Sequence, residues 1–490
     1  MSILPVRRAL LVAVALVAAL ACDASSAAKR DREAAKQART SPASDYPDSI
    51  RRPRGIYAVL VLDGTHAAKA DLDALVSNPA VSGLAIRMFW SSLQPAKDRY
   101  DFSQLDAAFA SAAAAHKTVQ LILVPGFGTP AWVMSEISSC DGLLTAPAEG
   151  GGKEGKHAGR AAKADSDSEG GGRGHRKAEG GGREGRHAGA AAPEGGGHEV
   201  AASKGAASCG KVTFEVSEGR AHGDKQELPL PWNPVYKRYW RAFLTEVAAR
   251  FGTRETLVSI AVAGPTAESV EIILPRSGDQ IERWAQLLEI FYRNPSYHRS
   301  DKAFVDEWDA AVTVYGEVFR NITIVLTRGS GLLNFTKGQS SAAQASIVSS
   351  FAAHPVGANA KATQTSGLKA CRDNEGGIKG AKELSLSGPV LAGAQFDTSF
   401  SQKPNAEGCK ASCDKEAAVC QSVTPAQALS NVLSVYFEGT PAGGLYGAAR
   451  GTARLNYLQI YEKDIEFART QPAVQATLEK VSHELLMQAR

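Results

Sequence analysis

Short apolar runs of strand length alternate with amphipathic helical segments along most of the chain. Eight runs read as strands, and they cover residues 55–64, 81–90, 118–124, 257–263, 322–327, 360–365, 390–396 and 455–461. Runs that are apolar throughout are typical of parallel strands buried on both faces. Eight such strands with helices between them predict an α/β fold, a closed (β/α)8 TIM barrel.

Helix signals fall between these strands. Asn233 followed by Pro234 predicts a capped helix that ends at Gly252, and Ser103 with Asp106 three residues on has the spacing of a capping box. Further helices are predicted after most of the remaining strands, over 70–77, 279–292, 302–320, 341–353, 424–437 and from 472 onward.

A doubly wound open sheet is the rival architecture. It loses support because no G-x-G-x-x-G follows the first strand, so nothing indicates a dinucleotide. The chain also lacks a P-loop, an H-E-x-x-H motif and the G-x-S-x-G of serine hydrolases. We therefore expect no cofactor and no metal.

The N-terminal segment of the chain bears on where the protein is located. Residues 1–28 have the basic start, apolar centre and small-residue cleavage sites of a secretion signal, and 29–54 form a linker to the domain at 55–490. Cys22 opens the alternative of a lipid anchor. No transmembrane helix is expected in the mature chain, and a net charge of +4 gives no reason to expect nucleic acid as a partner. We expect export in a bacterium, to the periplasm, the envelope or the exterior.

A glycine-rich, repetitive segment interrupts the domain at 147–206. Its few apolar residues cannot offset the entropy of ordering it, so we expect a disordered insertion. Cys140 and Cys209 flank it, as a disulfide closing off the excursion would require. The other four cysteines are expected to pair among themselves in a disulfide-bearing loop region, and they are Cys371, Cys409, Cys413 and Cys420.

One stretch carries a family resemblance. Arg87 on the second strand, Trp90 with Leu93-Gln94-Pro95, and Tyr100-Asp101-Phe102 with Leu105-Asp106 resemble the second β/α unit of clan-A glycoside hydrolases. That superfamily includes β-galactosidase-like, cellulase-like and xylanase-like TIM barrels. The resemblance implies a carbohydrate substrate and two catalytic carboxyl groups, an acid/base after strand four and a nucleophile after strand seven.

This sequence has glutamates after strand four, whereas the residue that ends strand seven is not acidic. Glu268 and Glu271 both follow strand four, and either fits the acid/base. Strand seven ends in Gln395, a neutral amide that cannot act as a carboxylate nucleophile. Asp397, two residues on, and Glu462, after strand eight, are the alternative sources of the second carboxyl group.

Substrate contacts are expected from polar and aromatic residues near the strand ends. Stacking platforms for sugar rings are predicted at Trp90, Trp132 and Trp232, and polar contacts at Arg87, Gln364 and Gln395. Arg87 should pair with one carboxylate and hold it ionised, while the opposing glutamate keeps its proton.

Three functions stay open on the sequence. The first is an exported glycoside hydrolase acting on polysaccharide or oligosaccharide. The second is a catalytically inactive barrel that binds glycan, which Gln395 favours. The third is an envelope attachment or scaffold protein, which the linker and the insertion favour.

Overall fold

Eight parallel strand positions close into a barrel in the computed structural model, which describes residues 49–62, 69–145, 209–216, 223–336, 338–355, 359–368, 390–396, 398–402, 424–437 and 455–488. The barrel strands in chain order are β1 (Gly55–Val61), β2 (Val81–Phe89), β3 (Thr118–Val124), β7 (Leu257–Ala261), β9 (Thr323–Gly331), β10 (Ala360–Leu368), β11 (Val390–Phe396) and β12 (Tyr457–Tyr461). Each pairs in parallel with its neighbours, and β12 pairs back onto β1. The predicted (β/α)8 barrel is confirmed.

Strand four is interrupted, which the sequence did not reveal. β7 pairs with the start of β9, through Ser259 and Thr323. A further strand, β8 (Glu271–Ile273), pairs with the end of β9, through Glu271 and Thr327. The chain therefore leaves the barrel wall over 262–270 and returns to it at Glu271.

Helices surround the barrel and bury their apolar faces against its outer surface. Their bounds are α1 (Lys69–Val76), α2 (Trp90–Leu93), α3 (Ser103–Ala114), α4 (Ala131–Ser135), α5 (Pro234–Phe251), α6 (Gln280–Phe291), α7 (Lys302–Val318), α8 (Gln339–Ala353), α9 (Pro425–Phe437), α10 (Glu462–Arg469) and α11 (Pro472–Gln488). Short 3-10 turns lie at Gly126–Gly128, Asp141–Leu143 and Pro295–Tyr297. No helix in the described part of the chain is long and apolar enough to span a membrane.

The two predicted helix starts had different outcomes. Asn233 caps α5 as expected, its side chain accepting hydrogen bonds from the backbone N–H groups of Val235 and Tyr236, each at 3.0 Å. The capping box at Ser103 is wrong. Ser103 is already helical, and its N–H and hydroxyl donate instead to the Asp101 carboxylate.

An excursion from the barrel follows strand three. It contains a three-stranded sheet of β4 (Ser138–Ser139), β5 (Cys209–Glu215) and β6 (Lys225–Pro229). The predicted disulfide between Cys140 and Cys209 is present, with Cα atoms 5.1 Å apart, and it joins the two sides of the insertion. The leader, the whole insertion at 147–206 and the remaining cysteines, Cys22 among them, lie outside the described residues.

Candidate functional site

Four glutamine side chains meet inside the barrel. They come from β3, β10, β11 and β12, all are less than 10% exposed, and they are Gln120, Gln364, Gln395 and Gln459. Gln364 Nε2 donates to both Gln395 Oε1 and Gln459 Oε1 at 3.0 Å, and Gln459 Nε2 donates to Gln120 Oε1 at 2.7 Å. We call these four residues the amide network. A barrel core of this kind carries polarity without carrying charge.

Tyrosines flank the amide network and fix its direction. The Tyr457 hydroxyl donates to Gln364 Oε1 at 3.0 Å, and burial raises the pKa of this phenol, so that it stays a donor. Because Gln364 then presents its Nε2 to Gln395 Oε1, the Gln395 amide turns its own Nε2 toward the Tyr461 hydroxyl, 3.4 Å away. Gln395 is thus held as a hydrogen-bond donor at the C-terminal end of β11.

Three further side chains point inward at the strand ends. Paired residues of parallel strands share a face, and residues two apart in one strand share a face. Glu271 pairs with Thr327, which pairs with Gln364. Arg87 lies two residues after Ala85, the partner of Gln120. Tyr461 likewise lies two residues after Gln459. Arg87, Glu271 and Tyr461 therefore line the C-terminal mouth of the barrel, and we refer to these three as the mouth residues.

Arg87 has a partner of a different kind from the one expected. Its Nη2 donates at 2.8 Å to the backbone carbonyl oxygen of Glu268, and it forms no ion pair among the described residues. Glu268 lies in the excursion between β7 and β8, so this bond ties the interrupted strand to β2. The structure brings Arg87 to the backbone of Glu268 and not to a carboxylate.

Acidic residues are scarce on the barrel strands. Among the strand segments that form the barrel wall, Glu271 is the one acidic residue. Glu462 is the first residue of α10, directly after β12, and burial raises the pKa of its carboxyl group. Asp397 lies outside the described residues. No group of three or more potential metal ligands occurs in the part of the chain that the structure describes.

The nearby Asp464 has a structural role. It is fully buried and accepts hydrogen bonds from the Ser399 hydroxyl and from the backbone N–H groups of Phe400 and Ser401, at 3.0, 3.1 and 2.7 Å. Its carboxylate fastens the segment after β11 to α10 and is not open to a ligand.

The predicted aromatic platforms lie in ring clusters. Trp90 is completely buried against Trp240, with ring centroids 5.1 Å apart, and Trp232 packs against Tyr292 at 5.4 Å. Trp132 is half-buried and donates through Nε1 to the backbone oxygen of Gln94 at 3.1 Å. Trp90 and Trp232 offer no exposed ring face to a sugar in this structure.

The residues that carry the family resemblance build a loop. Gln94 Oε1 accepts from Trp90 Nε1 at 2.8 Å, and Gln94 Nε2 donates to the backbone oxygen of Lys97 at 2.7 Å. Together with the bond from Trp132 Nε1, these contacts fold the chain from β2 into α3. This part of the motif therefore positions backbone, whereas Arg87 alone reaches the mouth.

Sequence reasoning missed half of the amide network. Gln120 lies inside the apolar run of β3, and Gln459 lies on β12 between Tyr457 and Tyr461. All four side chains are buried or half-buried. The signal in the sequence was a glutamine within an apolar strand that is buried on both faces. A glutamine at such a position predicts a buried amide that needs a hydrogen-bond partner.

Comparisons with known proteins concern the architecture. No family model matches the chain, and no curated protein matches it. Among solved structures, a glycosylated endo-β-1,4-xylanase of glycoside hydrolase family 10 from Gloeophyllum trabeum aligns at 10% identity over 88% of this chain and 96% of its own, with a TM-score of 0.40. Xylanase 10B from Thermotoga petrophila RKU-1 aligns at 8% identity over 84% and 82%, with a TM-score of 0.38.

A β-galactosidase from Marinomonas ef1 aligns at 10% identity over 69% of this chain and 48% of its own, with a TM-score of 0.34. The closed order of eight parallel strands in this chain establishes the barrel independently of these likenesses. The mouth residues and the amide network are the features of this chain from which a function can be inferred.

Proposed function

We propose that this chain is an exported (β/α)8 protein that binds a glycan at the C-terminal mouth of its barrel without cleaving it. The mouth is the end of a TIM barrel at which ligands bind. One observation carries the proposal. The end of strand seven, where the resemblance calls for a nucleophile, holds Gln395, and both ends of its amide are engaged with Gln364 and Tyr461.

Hydrolysis of a glycosidic bond by this superfamily's mechanism needs two carboxyl groups with different protonation states. An amide has no ionised form near neutral pH and cannot form the glycosyl ester of a retaining enzyme. Glu271 is the one acidic residue on the barrel strands, so the wall by itself supplies half of the required pair. Recognition of hydroxyl groups needs only donors and acceptors, which Arg87, Tyr461 and the amides provide.

Hydrolysis is the second candidate, and Glu462 favours it. Burial raises the pKa of this carboxyl group just past the end of β12, as a proton donor requires. Glu268 or Glu271, on the side of the mouth that Arg87 contacts, would then be the ionised partner. These roles are the reverse of those expected from the sequence. Asp397 is the further source of a second carboxylate.

Export is part of the proposal. The signal-like leader motivates it, and the disulfide between Cys140 and Cys209 supports it, because such bonds persist in oxidising compartments.

A paired assay of binding and turnover tests the proposal. Purified full-length protein is applied to a glycan array and, separately, to a panel of chromogenic glycosides, with Glu271→Gln and Glu462→Gln alongside the wild type. We expect saturable binding of at least one glycan class and no release of chromophore. Turnover that falls more than a hundredfold in either variant would establish the second candidate instead. Absence of both binding and turnover would reject a carbohydrate function and leave the scaffold interpretation.

A further inference from the structure

We infer that the glycan bound at the mouth is acidic and that Arg87 contacts a carboxylate on it, as in a polymer of uronic acids. The inference rests on the proposed function and adds the chemical class of the ligand. It is supported by the guanidinium of Arg87 and by the direction of the hydrogen bonds beneath the mouth.

The guanidinium of Arg87 is the first feature that favours an acidic ligand. It is half-buried on a strand with no other charged residue, and its one side-chain hydrogen bond within the described part of the chain goes to a neutral backbone carbonyl. A buried or half-buried cation is normally matched by an anion, since desolvating it alone costs free energy. A guanidinium also presents five N–H donors in a planar fork that fits a carboxylate in two parallel bonds. One of those donors is used here.

The amide network is the second feature that favours an acidic ligand, because it supplies no negative charge. In the clan that the chain resembles, strand seven would place a carboxylate at this depth, whereas Gln395 places an amide. Because Tyr457 and Gln364 fix the order of donors and acceptors, the Gln395 Nε2 faces the mouth side as a donor. Both the charge and the hydrogen-bond polarity of this wall favour a ligand group that only accepts hydrogen bonds.

Glu271 repels an acidic ligand, so the inference predicts in which direction the affinity changes when the charge of Glu271 is removed. It is inward-facing at the strand-four position, and its negative charge repels an anion that Arg87 attracts. A carboxylate ligand must lie toward β2 and β11, away from β8. Removing the charge of Glu271 should raise the affinity for an acidic glycan relative to the affinity for its neutral ester.

The experiment compares one polymer with and without its charge. Oligogalacturonate and its fully methyl-esterified form have the same backbone, and their affinities for the full-length protein are measured by titration calorimetry at low salt. We expect the acid to bind at least tenfold more tightly than the ester. Arg87→Gln should abolish that preference, and Glu271→Gln should increase the affinity for the acid severalfold. Arg320→Gln removes one exposed positive charge from the turn before β9, at the opposite end of the barrel, and should change neither value.

The possible outcomes have different consequences for the inference and for the proposed function. Equal affinity for the acid and the ester would overturn this inference and leave the proposed function standing, whereas binding of neither would reject the proposed function for this glycan pair and the inference with it. Tighter binding of a sulfated oligosaccharide or of inorganic sulfate than of the uronate would replace the carboxylate with a sulfate as the recognised group. A circular dichroism spectrum and a thermal midpoint equal to those of the wild type show that Arg87→Gln is folded, and a lower affinity of Glu271→Gln for the acid would count against the inference independently.

Discussion

Asp301 carries a carboxyl group that is buried away from solvent. It precedes α7 and is 2% exposed, and neither of its oxygens makes a hydrogen bond of ordinary geometry to any residue that the structure describes. Burial raises its pKa to about 7, against the opposing effects of the Leu333 backbone and the charge of Arg276. Such groups make the stability of a protein depend on pH.

The sign of this dependence follows from the two pKa values. The unfolded chain binds this proton only below about pH 4, while the folded chain holds it up to about pH 7. Stability is therefore highest below pH 4 for this group and declines as the pH rises to 7. The linked loss is on the order of 4 kcal/mol between these limits.

Asp301→Asn should remove this decline. Urea unfolding at several values between pH 4 and pH 8 is the measurement, and the comparison is of slopes, because a buried amide carries its own cost. Asp306→Asn on the same helix removes an exposed ion pair with Lys302 and should keep the wild-type slope. Parallel slopes for Asp301→Asn and wild type would contradict the assignment.

Gly393 shows how tightly the barrel interior is filled. A Cβ atom at this position would meet the Tyr457 ring, the ring that directs the amide network. Gly393→Ala should lower stability by about 1–3 kcal/mol through overpacking, with a lower thermal midpoint. Gly142→Ala adds the same methyl group where nothing lies within 4 Å and should be close to neutral. Equal midpoints for the two variants would show that the ring has room to move.

At the scale of elements, the disulfide that joins the two sides of the insertion can be tested directly. Cys140 and Cys209 are 69 residues apart in sequence, so their bond restricts the unfolded chain over a long loop. Replacing both with serine should cost up to about 4 kcal/mol in the chain-entropy model. The measurement is denaturant unfolding of the variant and of the wild type with and without reductant. A wild type that is insensitive to reductant, with free thiols at both positions, would contradict the pairing.

The sequence predicted the elements whose signals are local. Strands three and seven have the predicted bounds, Thr118–Val124 and Val390–Phe396, because continuous apolar runs between turn residues mark buried strands. The α5 helix followed from Asn233-Pro234 at its start. The three-residue β8 could not be predicted, since its strand character comes entirely from pairing with the far end of β9.

The candidate site was only partly predictable for the same reason. Positions at strand ends could be listed, and Arg87, Glu271 and Gln395 were among them. Whether Arg87 would reach a carboxylate or a carbonyl depends on the path of residues 262–270, which no local pattern specifies. The partners of Gln364 come from strands up to 95 residues away in the chain. Long-range pairing of amides leaves no periodic signal.

In the molecule as a whole, the side chains that pack helices against the barrel differ in kind from those that line its interior. Rings such as Trp90 and Trp232 fill the space between helices and wall, while polar side chains are concentrated inside the barrel. The interior ends in the mouth residues, where a cation, a carboxyl group and a phenol converge above the amide network. The arrangement has hydrogen-bond donors that could hold a ligand, and it has an amide where the clan-A hydrolases that the sequence resembles need a carboxylate.

The most direct test of this account is product analysis on a glycan that the protein binds. Wild type, Glu271→Gln and Glu462→Gln are incubated for days with the tightest-binding oligosaccharide, and the reducing ends released are quantified by chromatography. We predict saturable binding by the wild type and no product above the level of the buffer control. Steady product formation by the wild type that disappears in either variant would contradict it, and the barrel would then be a hydrolase with its second carboxyl group away from strand seven.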